Sequence, residues 1–179
     1  MFIYQPITIF APAFVGRDEG TVSPFLMMIT EQQVTDLVNA AIEDTNLFIV
    51  SITVGGANAI TIVIDGDDGV GIGDCKKVSR GVEGAFDREE EDFSLDVKSS
   101  GVGQAFVMPR QFKKYVNRHI EVMMNDGKQI NGIMLSYNEQ EMEVEPRVDP
   151  GKGRKIKVLE PVVLNLSDIR ETKSAITFK

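Results

Sequence analysis

Phe48 to Phe86 reads FIVSITVGGANAITIVIDGDDGVGIGDCKKVSRGVEGAF, and two different periodicities follow one another within it. Phe48, Val50, Ile52 and Val54 alternate with Ile49, Ser51 and Thr53; Gly55-Gly56-Ala57-Asn58 is turn material; Ile60, Ile62 and Ile64 alternate again. Two period-two runs across a short turn predict a β-hairpin. A glycine-rich acidic connection, Asp65 to Gly73, follows, and from Asp74 onward Cys75, Val78, Val82, Ala85 and Phe86 keep helical spacing. A second helix is therefore expected to begin at Asp74, with Cys75 facing a core. Upstream, Thr30 and Gln33 have the spacing of a capping box, and Val34, Leu37, Val38, Ala41 and Ile42 form one apolar stripe of a first helix ending near Asp44-Thr45-Asn46. Downstream of the acidic run Asp87 to Asp92, Phe93, Leu95 and Val97 alternate as a third strand. The order helix, strand, strand, helix, strand predicts an α+β layer with its helices on one face of the sheet.

Past Phe106 the pattern changes. Pro109 can open a short helix whose apolar side is Phe112, Tyr115 and Val116, expected to be a linker or lid. Ile120, Val122 and Met124 then lead into the Asn125-Asp126-Gly127 turn, and Ile130, Ile133, Leu135, Met142 and Val144 follow. A Pro- and Gly-bearing connection from Pro146 to Gly153 precedes Ile156, Val158, Val162 to Leu166, and Ile176. Short strands at close spacing predict a small all-β barrel. The expected organisation is an acidic α+β domain over 29–106 and a barrel domain over 107–179, with the boundary near Phe106 to Pro109. Residues 1–28 are expected to be a disordered tail or to lie upstream of a true start at Met27 or Met28. Their apolar run is broken by Pro6, Pro12 and Pro24 and lacks the cationic start of an export signal.

The chain's 179 residues, 42% hydrophobic and 26% charged, suit one large or two small globular domains. One cysteine excludes a disulfide framework and multi-cysteine zinc sites, and one histidine excludes the two- and three-histidine metal centres. No run reaches the ~20 apolar residues of a membrane span. The net charge of -8 argues against a protein that coats a polyanion with its whole surface. Its distribution is uneven. Residues 1–106 hold 6 Lys+Arg and 17 Asp+Glu, net -11, whereas residues 107–179 hold 13 and 10, net +3. An acidic half is repelled by phosphate and attracted to basic protein surfaces.

Several sites of chemistry fail on inspection. A calcium loop starting at Asp65 would place Val70 at its glycine position and Lys76 at its closing carboxylate, so no metal is expected. Gly69, Gly71 and Gly73 precede a helix, but Asp74-Cys75 stands where a phosphate loop needs Lys and Ser or Thr. Cys75 has no base near it in sequence, and His119 opens a strand in the other half, at the surface. With no paired carboxylates and no nucleophile and base, neither catalysis nor a cofactor is expected. Two basic clusters remain as candidate phosphate contacts: Arg110, Lys113, Lys114 and Arg118 on the short helix, and Lys152, Arg154, Lys155 and Lys157 in the barrel half. Tyr115 and Tyr137 are not arranged as a stacking platform.

The run from Thr61, TIVIDGDDGVGIGDC, continuing KKVSRGVEGAFD from Lys76, resembles the hallmark of the ribosome maturation factor RimP family. Ile64-Asp65, Asp74-Cys75, Val78-Ser79-Arg80 and Phe86-Asp87 stand at the family's Ile-Asp, Asp-Cys, Val-Ser-Arg and Leu-Asp. Leu95-Asp96-Val97 and Ser99-Ser100-Gly101-Val102 resemble its Leu-Glu-Val-Ser-Ser-Pro-Gly-Leu segment, with the proline absent and Gln104-Ala105 where an Arg-Pro or similar pair usually follows. Asp168-Ile169, ahead of the last strand, is the chief echo in the second half. The resemblance implies an N-terminal αββαβ (KH-like) domain and a C-terminal SH3-like or Sm-like β-barrel. It also implies a cytoplasmic, non-enzymatic factor on the immature small ribosomal subunit, beside a basic ribosomal protein near the decoding region; a monomer, with 16S rRNA as a further partner, is expected. The charge split suggests how: Asp67, Asp68, Glu89, Glu90 and Glu91 would mimic rRNA toward that protein while the basic clusters touch RNA. The alternative is a general RNA-binding adaptor that uses an Sm-like barrel with no ribosomal role.

Overall fold

The computed structural model describes residues 28–88, 92–151 and 154–175. The expected tail, Glu89, Glu90, Glu91, Lys152 and the strand expected at Ile176 lie outside the described residues, Met28 excepted.

The first half runs α1 (Glu31–Ile42), β1 (Leu47–Gly55), a 3-10 turn at Gly56–Asn58, β2 (Ala59–Gly66), α2 (Ile72–Glu83) and β3 (Ser94–Ser99). α1 starts on the expected capping box: the Gln33 amide donates to Thr30 Oγ1 at 3.2 Å, and the Thr30 amide donates to Gln33 Oε1 at 2.9 Å. α2 begins two residues earlier than Asp74. Gly71 is its N-cap and has no side chain to offer, so the Asp74 carboxylate reaches back to accept from the Gly71 amide at 2.8 Å. The sheet order is β1-β2-β3, with β1 and β2 antiparallel and β2 and β3 parallel. Val34, Val38 and Ile42 of α1 and Val78 and Val82 of α2 cover Ile60, Ile62 and Ile64 of β2. Cys75 is half-buried against this core, and Phe93 is buried just before β3 begins.

One expectation for β1 is corrected. Ile49 pairs with Ile64 while Ser51 pairs with Val63, so Val50 is an extra residue in a β-bulge. A bulge shifts the period of two by one step and exchanges the faces on its two sides. Leu47 and Ile49 therefore join Ile52 and Val54 in the core, whereas Phe48, opposite Asp65, lies on the other face of the sheet.

The second half runs α3 (Pro109–Lys114), β4 (His119–Met124), β5 (Gln129–Tyr137), β6 (Glu141–Val148), β7 (Lys157–Val158), β8 (Val162–Asn165), a 3-10 turn at Leu166–Asp168, and β9 (Ile169–Ser174). His119, expected at the surface of a strand entrance, is half-buried at the start of β4. Ile120, Val122, Ile130, Met134, Met142 and Val144 form a second core, against which Phe106, Phe112, Tyr115 and Val116 pack. The sheet order is β7-β6-β5-β4-β9, with β8 also on β6. The barrel expectation is corrected here: the described strands form a six-stranded antiparallel sheet with no ladder between β8 and β9. The turn Leu166–Asp168 carries the chain from the β6 edge to the β4 edge, so the sheet folds back on itself without closing by hydrogen bonds. Pro146 is likewise not in a connection but inside β6, opposite Gly132, with its carbonyl accepting from the Leu159 amide at 2.9 Å.

Candidate functional site: the seam between the two sheets

α3 has two faces. Phe112, Tyr115 and Val116 lean on the second core, while Arg110, Gln111 and Lys114 reach the end of β2. The i and i+4 spacing of Arg110 and Lys114 puts both cations on one side of the helix. Opposite them stands Asp65. It follows Ile64 by one residue, so the strand period turns it away from α1 and α2 and toward α3.

Asp65 is the hub of this contact. It is 6% exposed; its Oδ1 accepts from Lys114 Nζ at 2.7 Å and from the Gly66 amide at 2.8 Å, and its Oδ2 accepts from Gln111 Nε2 at 3.1 Å. Burial works to raise its pKa, but the bonds from Lys114, Gly66 and Gln111, together with the Lys114 charge, outweigh it and hold the carboxyl below the ordinary aspartate value. Gln111, 1% exposed, also donates to Ser100 Oγ at 2.9 Å, and its Oε1 accepts from the Val107 amide at 2.9 Å. Both ends of this buried amide are thus satisfied.

A second, outer contact flanks the hub. Arg110 donates from Nε and Nη2 to the two carboxylate oxygens of Asp67 at 3.0 and 2.8 Å. Its hydrogen bond is the main reason the Asp67 carboxyl titrates below its ordinary value. The same guanidinium lies 4.5 Å over the ring of Phe48, which is 6% exposed and belongs to neither core. The segment before α3 is held too: the Phe106 amide donates to the Thr172 carbonyl at 2.7 Å and the Gly103 amide to Ser174 Oγ at 3.1 Å, both on β9.

Beside the hub a cleft of about 290 Å³ opens on the seam, lined among others by Asp68, Ser99, Ser100, Gly101, Tyr115 and Arg118. Among the described residues no group of three His, Cys, Asp or Glu side chains could hold a metal ion, and no helix is long and apolar enough to cross a membrane.

The residues singled out from sequence separate into three sets. Asp67 with Arg110, and Lys114 with Asp65, pair with each other across the seam. Asp68, Lys113, Arg118, Arg154 and Lys155 are exposed; Asp68 accepts from Asn46 Nδ2 at 2.9 Å. Glu89, Glu90, Glu91 and Lys152 fall outside the described residues. Sequence patterns assign no role to Gln111, bring out Ser100 only as part of a motif, and bring out Asp65 only as a rejected metal ligand and as part of a motif. A lone carboxylate at the end of an isoleucine strand is the signal that could have found it.

A family profile described as the RimP N-terminal domain matches residues 37–103, from within α1 to the segment after β3. Over 154 residues the chain is 43% identical to the ribosome maturation factor RimP of Christiangramia forsetii, covering 83% of this chain and 99% of that protein. The chain belongs to the RimP family. The RimP of Flavobacterium psychrophilum is 34% identical over 119 residues, 66% of this chain and 77% of its own length. That of Porphyromonas gingivalis is 26% identical over 147 residues, 80% of this chain and 97% of its own length. The RimP profile includes Asp65, Asp67 and Ser100 but ends before Gln111 and Lys114, so the seam joins the matched segment to α3 beyond its end.

Proposed function

We propose that this ribosome maturation factor of the RimP family acts by transient docking on the immature small ribosomal subunit in the cytoplasm, as a monomer and without catalysing a reaction. The chain is read as two domains meeting at Phe106 to Pro109, the second an SH3-like fold whose ring is left open. The observation that carries the reading is the charge division, net -11 over residues 1–106 against net +3 over 107–179. The acidic half offers a basic ribosomal protein a substitute for rRNA, and the exposed cations Lys113, Arg118, Arg154 and Lys155 of the other half face rRNA phosphate. Attraction of this kind is screened as the Debye length falls from about 10 Å at 0.1 M salt to about 3 Å at 1 M.

The test is co-sedimentation of the full chain with free small subunits on sucrose gradients. Reversing Asp68, Glu89, Glu90 and Glu91 to lysine should abolish co-migration while circular dichroism stays unchanged. Asp67 is left intact in that variant because Arg110 is bound to it. Undiminished co-migration of the reversed protein would sink the reading.

A further inference from the structure

We infer that Asp65, Gln111 and Lys114 form a latch that holds the two sheets as one rigid body, so that both charged surfaces meet their target in a fixed relative geometry. The latch itself stands on the structure alone; its consequence for binding rests on the docking reading above.

Three observations carry it. The Asp65–Lys114 pair is largely buried at the wall of the cleft, with side chains 9% and 8% exposed, and Gln111 ties that carboxylate to Ser100 and to the Val107 amide in one connected network. Replacing one partner of such a pair while the seam stays closed leaves a buried charge uncompensated, so the closed seam requires both charges to be present. Phe48 is buried although it is part of neither core, and its cover is the guanidinium of Arg110. Withdrawal of α3 would take that cover off the ring. Finally, α3 is anchored to the second core through Phe112 and Tyr115: the Phe106 and Phe112 rings are 5.3 Å apart, and Phe112 stacks on Tyr137 at 4.8 Å. Movement of α3 away from Asp65 therefore carries the second sheet with it.

Two sites on one rigid body bind as a unit, the second at high effective concentration, whereas a loose connection forfeits part of that gain. Lys114→Glu, which sets a second carboxylate against Asp65, should open the seam. Lys114→Arg should keep it closed.

The chain has no tryptophan, so Phe48→Trp supplies a single fluorescent reporter beneath Arg110. In that background, Lys114→Glu should shift the emission to the red, and small-angle scattering of the protein with Phe48 intact should show a larger radius of gyration, with the helix and strand signals of circular dichroism retained. Arg110→Ala, which leaves the buried pair in place, should redden the emission with no change in radius. Subunit affinity of Lys114→Glu should fall by about tenfold or more. An unchanged radius and emission in Lys114→Glu would overturn the latch, as would opening in Lys114→Arg. Should Lys114→Glu fail to fold, Gln111→Leu, which deletes the network's uncharged link, takes its place with the same expected opening and the same overturning result. Parent protein that does not bind subunits would instead defeat the docking reading and leave the scattering result standing.

Discussion

Lys114 Nζ lies 2.7 Å from Asp65 Oδ1, and the two charged side chains are only 8% and 9% exposed. They are separated by 49 residues of chain, one at the end of β2 and the other at the end of α3. An ion pair so enclosed contributes to stability chiefly through the cost of breaking one half of it.

Lys114→Met should therefore destabilise the protein by about 3 kcal/mol in urea unfolding, since it leaves the Asp65 carboxylate buried without its counter-charge. The double variant Asp65→Asn with Lys114→Met should recover a large part of that loss. If the double variant is as unstable as the sum of the singles, the two side chains are not coupled.

Acid should weaken the fold through the same groups. Asp65 and Asp67 both titrate below the ordinary value of 3.8 when folded. Above that value both folded and unfolded chains are ionised and the full stabilisation is present. As pH falls, the unfolded chain takes up protons first, and the contribution is lost as pH passes down through the depressed folded values. Urea midpoints measured across this range should fall with acidification, and less steeply in Asp65→Asn. Equal slopes in the two proteins would rule Asp65 out as a source of the effect.

Gly132 should tolerate no side chain. A Cβ there would collide with the Glu145 carbonyl oxygen across the β5–β6 pair. Gly132→Ala has to push the strands apart, and a loss of about 1–3 kcal/mol is expected from thermal melts. A melting temperature equal to that of the parent would mean the strands are not so closely apposed.

Thr30→Ala removes the side-chain acceptor that closes the N-terminus of α1. It should cost about 1 kcal/mol. Thr30→Ser, which retains the hydroxyl, should cost much less, and equal losses in the two variants would exclude the cap as the cause.

Much of this molecule was legible along the chain because it is decided by neighbours in sequence. Thr30 and Gln33 announce a helix start through a contact three residues long, and the isoleucines of β2 announce a strand through their alternation. The bulge at Val50 was not legible. Nothing local distinguishes a strand with one extra residue from one without it, and the choice follows from which alternation lets Leu47 and Ile49 meet the helices.

The seam marks the same division in the candidate site. From the sequence alone came the element order of the first half, the opposite charge of the two halves and the motif that places the chain in its family. All of these rest on composition or on short-range spacing. The partnership of Arg110 with Asp67 and of Lys114 with Asp65 spans 43 and 49 residues, and no periodicity connects such positions. Only the packing of α3 between the two sheets brings them together, and it converts Asp67, Arg110 and Lys114, which read as separate surface charges, and Asp65, which read as part of a motif, into the inner and outer faces of one contact.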